Sequence, residues 1–219
     1  MNIILGIISI FVIFIIVVLI EKIFKKEGLN TWISIALILA NMVVGKSIDI
    51  LGFTTTLGSV LFASTFLATD ILSEKYSKED AKKAIYMSVY SSLAFILITQ
   101  IVLEFIPNKT DIVNDSMRVL FTISLRTTVA SLLMFFISNM FDIYLYNKLK
   151  KKYPNKMWFR NNIATIISNC TENFFFVMFA FIGIYDISVI LSIAITKTII
   201  EIVIALCDTP FLYLSKKLK

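Results

Sequence analysis

The chain has 219 residues, of which 58% are hydrophobic and only 16% are charged, and it contains no histidine. A soluble domain is ~45–50% apolar and ~25% charged, so most of this chain must lie in a lipid bilayer. The missing histidine excludes imidazole general bases, His-ligated zinc and histidine proton relays. Cys170 and Cys207 lie in apolar runs and cannot form a metal site alone, so we expect no metal and no cofactor.

Seven apolar runs are long enough to cross ~30 Å of hydrocarbon as helices that rise ~1.5 Å per residue. In chain order they are 2–20, 32–50, 57–73, 84–106, 119–144, 161–182 and 187–214. The first run has no basic residues before it and no cleavage site, so it is expected to be a retained helix rather than a signal peptide. The sequence predicts an all-α polytopic membrane helix bundle, with a six-helix core in 31–219 and an additional N-terminal transmembrane helix and basic loop in 1–30.

The basic residues indicate which ends of these runs face the cytoplasm. Of the 21 lysines and arginines, 16 follow the first, third, fifth and seventh runs. The opposite loops contain Lys109 and Arg118, with Asp111, Asp115 and Asp186 against them. Because cytoplasmic loops carry the excess of Lys and Arg, we expect the N-terminus outside and the C-terminus in the cytoplasm. The net charge of +6 therefore indicates a multi-pass plasma-membrane protein and not a nucleic-acid partner.

Polar residues inside the spans are the candidates for a functional site, since an ionisable side chain at the bilayer centre costs ~2.5–3.5 kcal/mol. Seven ionisable residues lie there: Lys46, Asp49, Asp70, Arg126, Glu172, Lys197 and Glu201. The sixth run carries a polar stripe at i, i+3, i+4 spacing, formed by Asn162, Thr165, Asn169, Glu172 and Asn173. Glu172 lies ~16 Å from the inner end of its run, near the midplane where transporters bind their substrates.

Other runs add polar side chains to this stripe. Lys197 and Glu201 are one turn apart on the seventh run, and Asp70 shares a face of the third with Glu74 at the inner boundary. The second run contributes Asn41, the fifth Asn139 and Asp142, and the sixth Phe176, one turn beyond Glu172. Together they outline a polar path across the bundle. The alternative is that these charges are interhelical ion pairs that only hold the helices together.

Several segments, in their order along the chain, resemble one known family. They are Gly52-Phe53-Thr54-Thr55, residues 66–76 (FLATDILSEKY), residues 142–146 (DIYLY), residues 158–162 (WFRNN) and Thr209-Pro210-Phe211. The series resembles the queuosine-precursor transporters, also called the vitamin uptake transporter family, from about residue 41 to the C-terminus. The resemblance implies a six-helix core that imports 7-deazaguanine compounds, precursors of the modified tRNA base queuosine.

The sequence departs from that family at a few positions. Ser77 stands where Gly is common, Asn139 where Gln is common and Glu172 where Asp is usual. Glutamate keeps the carboxylate of aspartate on a longer arm. The departure therefore leaves open which precursor is carried, preQ0, preQ1 or queuine, more than it affects the substrate class.

The implied ligand fits the polar residues. A 7-deazaguanine presents N1–H and its exocyclic amine side by side, and one carboxylate accepts such a pair of donors, a role we expect for Glu172. Asn169 or Asn173 would donate to O6, and Arg126 or Lys197 would serve the same oxygen or balance the buried carboxylates. Phe176 would stack on the ring. A substrate with an aminomethyl group would need a second carboxylate, Asp70 or Glu201, and the predicted site also includes Asn41, Asn139 and Asp142.

Three classes of function compete on the sequence alone. The first is a carrier for a deazapurine with no energy source encoded in the chain, or a substrate-binding membrane component that needs a partner ATPase module. The second, an intramembrane enzyme, is not expected because histidine and a metal-ligand cluster are both missing. The third is a structural membrane protein whose charges are packing pairs. A homo-oligomer is compatible with each.

Overall fold

The computed structural model describes residues 2–43, 46–50, 53–56, 58–121, 125–183 and 186–218, and for 47, 49–50, 53–56, 125–128 and 181 it describes the backbone alone. Its helices are α1 (Asn2–Val43), α2 (Gly58–Lys75), α3 (Lys78–Leu103), α4 (Asn114–Phe121), α5 (Leu125–Lys152), α6 (Met157–Phe181), α7 (Ile187–Leu206) and α8 (Thr209–Lys217). An antiparallel hairpin of β1 (Ser47–Ile50) and β2 (Phe53–Thr56) lies between α1 and α2.

Helix α1 consists of two helical segments that meet at Lys25. This residue has φ 56° and ψ −140°, a conformation outside the helical region and uncommon for a residue with a side chain. A Cβ added to Gly28 would lie 2.6 Å from a side-chain carbon of Ile20, whereas eight residues of continuous helix would separate the two by ~12 Å. The chain therefore turns back at Lys25, and the close approach at Ile20 leaves room only for glycine at position 28. The turn separates the first two predicted spans.

Five helices of the described part are long and apolar enough to cross a membrane. They are Asn2–Val43, Lys78–Leu103, Val129–Lys152, Met157–Ala180 and Ile187–Lys217, the last of which joins α7 and α8. Large apolar side chains lie on their outer surfaces, such as Ile4 (64% exposed), Leu97 (65%) and Ile195 (59%), which only lipid can cover favourably. The architecture is thus a helical membrane bundle. Seven spans and the orientation of the termini stay predictions.

The boundaries differ from the predicted runs at three places. The second run ends as a helix at Val43, because residues 47–50 pair with residues 53–56 in a hairpin that the sequence reading did not include. The fifth run divides into α4 and α5. The seventh divides at Asp208, where Pro210 in the first turn of α8 lacks the N–H that a continuous helix would need.

The N-terminal segment packs on the rest of the bundle. The Phe14 ring meets the Phe211 ring edge-on at 5.4 Å, and both belong to the same apolar core as α2, α3 and α5. Near the turn, Glu21 forms an ion pair with Lys75 at 2.8 Å and accepts a hydrogen bond from the Tyr76 hydroxyl at 2.9 Å. The segment is therefore fixed by contacts with α2 and α8, while the domain boundary at residues 30 and 31 stays a prediction.

Candidate substrate site

Helices α5 and α6 run antiparallel and bring polar side chains together at successive turns. The hydroxyl of Ser138 faces the carboxylate of Glu172. One turn further along α5, Asp142 lies beside the hydroxyls of Thr165 and Ser168. A further turn on, the ring of Tyr146 lies 5.5 Å from the Arg160 guanidinium. Each step is four residues of α5, or ~6 Å, so the polar groups form three layers along one helix interface.

The first layer, the Glu172 layer, consists of Ser138, Glu172, Asn173, Phe176, Lys197 and Glu201. The Ser138 hydroxyl donates to Glu172 Oε2 at 2.7 Å, and Asn173 Nδ2 donates to Glu201 Oε2 at 2.7 Å. Lys197 Nζ lies 3.0 Å from Glu201 Oε1, donates to Asn173 Oδ1 and sits 5.4 Å from the centre of the Phe176 ring. The structure thus brings together five residues that the sequence predicted for the site, on α6 and α7.

Glu172 and Glu201 differ in how their charge is compensated. Glu201 forms an ion pair with Lys197, one turn earlier on α7. Glu172 is buried and accepts a hydrogen bond from a neutral hydroxyl, and the charge of Lys197 acts on it without an ion pair in the described residues. A buried carboxylate that lacks an ion pair carries a desolvation cost unless another group satisfies it. Glu172 is therefore the acceptor in this layer that is best suited to a ligand.

Two amides flank this layer with their oxygens unused. Asn139 Nδ2 donates to the carbonyl of Phe135, whereas the buried Oδ1 of Asn139 has no hydrogen-bond partner in the described structure. The buried Oδ1 of Asn169, one turn before Asn173, also has none. Buried polar atoms are almost always hydrogen-bonded in proteins. These two oxygens therefore add acceptors for N–H groups of a ligand.

Of three further predicted residues, Asn41 lies away from these layers, and the side chains of the other two are not among those that the structure describes. Asn41 accepts a hydrogen bond from the Ser131 hydroxyl at 2.9 Å. Ser131 lies seven residues before Ser138 on α5, which is ~10 Å along the helix. The Nδ2 of Asn41 donates to the carbonyl of Leu37. The side chains of Arg126 and Asp49 lie outside the described residues, so their predicted roles stay predictions.

The second layer, the Asp70 layer, consists of Asp70, Asp142, Asn161, Thr165, Ser168 and Asp208. All six side chains are buried. Asn161 Nδ2 donates to Asp208 Oδ1 at 2.7 Å. Both carboxylate oxygens of Asp70 and of Asp142, and the second oxygen of Asp208, have no hydrogen-bond partner in the part of the chain described. The predicted substrate residues Asp70 and Asp142 are thus in a layer separate from Glu172.

The third layer, the Glu74 layer, consists of Glu74, Tyr146, Lys150, Arg160 and Lys216. The Glu74 carboxylate lies 2.5 Å from Arg160, 2.7 Å from Lys216 and 3.3 Å from Lys150. Tyr146 donates its hydroxyl to the same carboxylate at 3.1 Å. These contacts join the end of α2 to α5, α6 and α8. The layer is an ion-pair network in which three cations compensate the charge of Glu74.

Sequence reasoning did not find some of these residues. Arg160 was counted among the loop charges, yet its side chain is only 1% exposed because Glu74, 86 positions earlier in the chain, lies against it. Ser168 was also not predicted, although it lies one turn before Glu172 and therefore on the same face of the helix. A groove of about 580 Å³ between the ends of α3 and α4, lined by residues within 102–117, shares none of the layer residues. No group of acidic or cysteine side chains suited to a metal ion occurs in the described residues.

A family profile and a known protein match this chain over most of its length. The profile of a family described as "Putative vitamin uptake transporter" matches residues 56–215, a range that includes the principal residues of all three layers. A protein of Bacillus subtilis (strain 168), named "Probable queuosine precursor transporter", is 36% identical over 207 residues, which cover 94% of this chain and 90% of that protein. No solved structure matches the chain. The family and the relative are both described as transporters.

Proposed function

This chain belongs to the vitamin uptake transporter family, a family of membrane transporters and not of enzymes, and we propose that it imports queuosine precursors. These are 7-deazaguanine derivatives such as preQ0, preQ1 or queuine, which the cell uses for tRNA modification. The name of the Bacillus subtilis relative, "Probable queuosine precursor transporter", supports this substrate class. The proposed binding site is the Glu172 layer, together with the amide oxygens of Asn139 and Asn169.

The buried Glu172 carboxylate is the observation that carries the proposal. A 7-deazaguanine offers an N1–H and an adjacent amine, and a carboxylate accepts both in a bidentate arrangement. Ser138 and the charge of Lys197 offset part of the desolvation cost of burying Glu172, and a ligand with paired donors offsets more of it. A ligand without these donors leaves the carboxylate unsatisfied, so the site discriminates by chemistry as well as by shape.

The neighbouring residues provide the other contacts of the proposed site. Lys197, held by Glu201 and Asn173, presents a cation for the O6 acceptor of the base. Phe176, next to Lys197, presents an aromatic face for the planar ring. The unpaired oxygens of Asn139 and Asn169 accept further ring or amine N–H groups. A deazapurine contains all of these groups: donors at one edge, an acceptor beside them and a stackable face.

The predicted topology is part of the same proposal. Seven spans, with the N-terminus outside and the lysine-rich loops in the cytoplasm, direct α5 inward and α6 outward. The Glu172 layer then lies near the middle of the membrane, and the Glu74 layer lies at its cytoplasmic side. Residues 1–30 form an additional helix beside a six-helix core in residues 31–219. This orientation is tested by placing single cysteines in the loops and labelling them with a reagent added outside the cell.

Replacement of Glu172 tests the site. We expect Glu172→Gln to lower uptake of labelled precursor about tenfold to a hundredfold at low substrate concentration, because a hydrogen bond to a charged group contributes about 1.5–3 kcal/mol. Glu172→Asp keeps the charge on a shorter arm and should retain an intermediate rate. Uptake is measured in cells with equal amounts of each variant in the membrane.

A matched control separates the site from a general effect of lost charge. Glu104 is exposed at the end of α3, so Glu104→Gln removes one carboxylate without touching the three layers. This control should take up precursor at the rate of the unmodified protein. Unimpaired uptake by Glu172→Gln would remove Glu172 from the site, and failure of the unmodified protein to bind any deazaguanine would remove the substrate class.

A further inference from the structure

We propose that Asp70, Asp142 and Asp208 form a proton-binding site that couples substrate import to the proton gradient. The inference rests on the proposed function, because it names the energy source of that same transport. It concerns a layer different from the one proposed to bind the substrate. A proton from the outer side forms an O–H bond with one of these carboxylates, and the same bond breaks when the proton leaves toward the cytoplasm.

The three carboxyl groups are buried and have no cation partner among the described residues. Their side chains are 0%, 0% and 1% exposed, and Asp70 interacts with both Asp142 and Asp208. Five of their six oxygens lack a hydrogen-bond partner in the described residues. Buried carboxylates that lack a cation lose their hydration and repel one another, so a proton bound by one of them stabilises the layer. The layer is therefore suited to bind a proton.

The charged and titratable groups around the layer do not supply a cation to the three carboxyl groups. On α2 the neighbour is Glu74, and on α5 it is Tyr146. The basic groups of α5, α6 and α8 that come near, Lys150, Arg160 and Lys216, are all engaged by Glu74. Just after the end of α7 the thiol of Cys207 adjoins Asp208, and from α1 the charge of Glu21 is paired with Lys75. The neighbouring cations are thus committed to other carboxylates.

Independent evidence for a ligand comes from the neutral side chains of the layer. The hydroxyls of Thr165 and Ser168 are buried beside Asp142, and neither has a hydrogen-bond partner in the described part of the chain. The Oδ1 atom of Asn161, next to Asp208, is also unpaired. A hydroxyl donates to a carboxylate and accepts from a carboxylic acid, so it serves both states of Asp142. These groups can therefore form hydrogen bonds to the layer both before and after a proton binds.

A proton fits the arrangement better than a metal cation does. Asp70 and Asp142 interact through their carboxyl groups, and one proton between two carboxyl groups forms a hydrogen bond that joins them. A cation would instead need several oxygens arranged around it. The described residues contain no cluster of acidic side chains suited to a metal ion. Sodium coupling is therefore the alternative that the experiment must separate.

The layer is positioned to affect substrate binding. Asp142 is one turn after Ser138, the partner of Glu172, and Ser168 is one turn before Glu172 on the facing helix. The proton site and the proposed substrate site therefore share both helices and lie ~6 Å apart along them. A change in charge at Asp142 alters the contact between α5 and α6 at that turn. It therefore affects the contact between Ser138 and Glu172 at the next turn. Two such sites on one helix pair have a shared coupling free energy.

The test uses the purified full-length chain in liposomes with labelled preQ0 as the probe, and preQ1 and queuine in parallel. One assay measures exchange of labelled for unlabelled substrate without any gradient. The other measures accumulation driven by an alkaline interior, with a trapped pH dye that reports proton entry. We expect the unmodified protein to exchange substrate, to accumulate it only under the proton gradient, and to acidify the interior when substrate is added outside.

Variants locate the proton at this layer. Asp70→Asn and Asp142→Asn mimic the protonated side chain in shape, so we expect exchange to continue while accumulation above equilibrium and proton entry are both lost. Asp208→Asn provides a third variant if one of these fails to fold. Asp115→Asn, which removes an exposed aspartate beside Asn114, is the matched control and should behave as the unmodified protein.

Each outcome is decisive for one of the two proposals. Absence of exchange with all three probes by the unmodified protein overturns the proposed function. Exchange that persists without any response to the proton gradient overturns the proton site alone. Accumulation that follows a sodium gradient instead, or proton entry that survives in both Asp70→Asn and Asp142→Asn, also overturns it. Accumulation without an added partner protein further excludes an obligatory ATPase module.

Discussion

Glu74 and Asp70 lie one turn apart on the same face of α2, and their carboxylates have opposite surroundings. Glu74 is contacted by Arg160, Lys150 and Lys216, so its charge is compensated and its position is fixed. Asp70 faces Asp142 and Asp208 instead, with no cation among the described residues. A compensated carboxylate holds helices together, whereas an uncompensated one can change its state. The two layers thus separate a structural function from a mechanistic one within ~6 Å.

The largest effect should follow from breaking the compensated layer. Arg160→Met leaves Glu74 buried without its closest cation, and removing one partner of a buried ion pair typically costs about 3–5 kcal/mol. We expect a large drop in the thermal unfolding temperature of the detergent-solubilised protein. Lys152→Met, at the exposed end of α5, is the control and should change it little. Equal stability of both variants would mean that the Glu74 layer does not hold the bundle.

Removing a charge from the Asp70 layer should not destabilise the protein in the way that breaking the Glu74 layer does. Asp70→Asn removes a buried charge that lacks a cation, so we expect stability within about 1 kcal/mol of the unmodified protein, or above it. The same unfolding measurement checks this sign. A destabilisation comparable to that of Arg160→Met would show that Asp70 has a stabilising partner, and the contrast between the layers would be lost.

The smallest effect should come from an ion pair at the bundle surface. Lys26 Nζ lies 3.1 Å from Asp80 Oδ1, and the two side chains are 43% and 25% exposed, so we expect Lys26→Met to cost no more than about 1 kcal/mol. Asp80 lies in the first turn of α3, outside the predicted span. A cost similar to that of Arg160→Met would remove the distinction between exposed and buried pairs.

The same surface pair gives a pH dependence with a defined sign. Hydrogen bonding from Ser77, with a further contribution from Lys26, lowers the pKa of Asp80. A lowered pKa in the folded state means that the pair stabilises the protein above pH ~4 and loses this contribution as the pH falls through the lowered value. The difference in unfolding temperature between Lys26→Met and the unmodified protein should therefore shrink on acidification. A difference that grows at low pH would contradict this assignment.

Local spacing predicted part of the candidate site. Lys197 and Glu201 lie one turn apart in the sequence, and they form the expected ion pair on α7. Asn173 and Glu172 belong to the predicted stripe on α6, and both lie in the Glu172 layer. These predictions succeed because a helix has one period, so positions three or four apart must share a face.

Contacts between distant segments were not readable in the same way. The sequence predicted one substrate site for Asp70, Asp142 and Glu172, whereas the structure divides them between two layers. It also placed Arg160 among the loop charges, although Glu74 draws this side chain into the bundle. Which carboxylate meets which cation depends on the register of α2 against α5, α6 and α8, and helical periodicity contains no information about register between helices.

Composition and hydropathy by themselves determined a helical membrane protein, because a bilayer admits only structures that satisfy their own backbone hydrogen bonds. The ordered motifs indicated the transporter family, which the comparisons confirmed. Only the tertiary structure decided which buried carboxylates lie beside cations and which do not. Of two carboxylates on one face of α2, it surrounds Glu74 with cations and leaves Asp70 facing other acids, since packing brings to Glu74 side chains as distant in the chain as Lys216, 142 positions later.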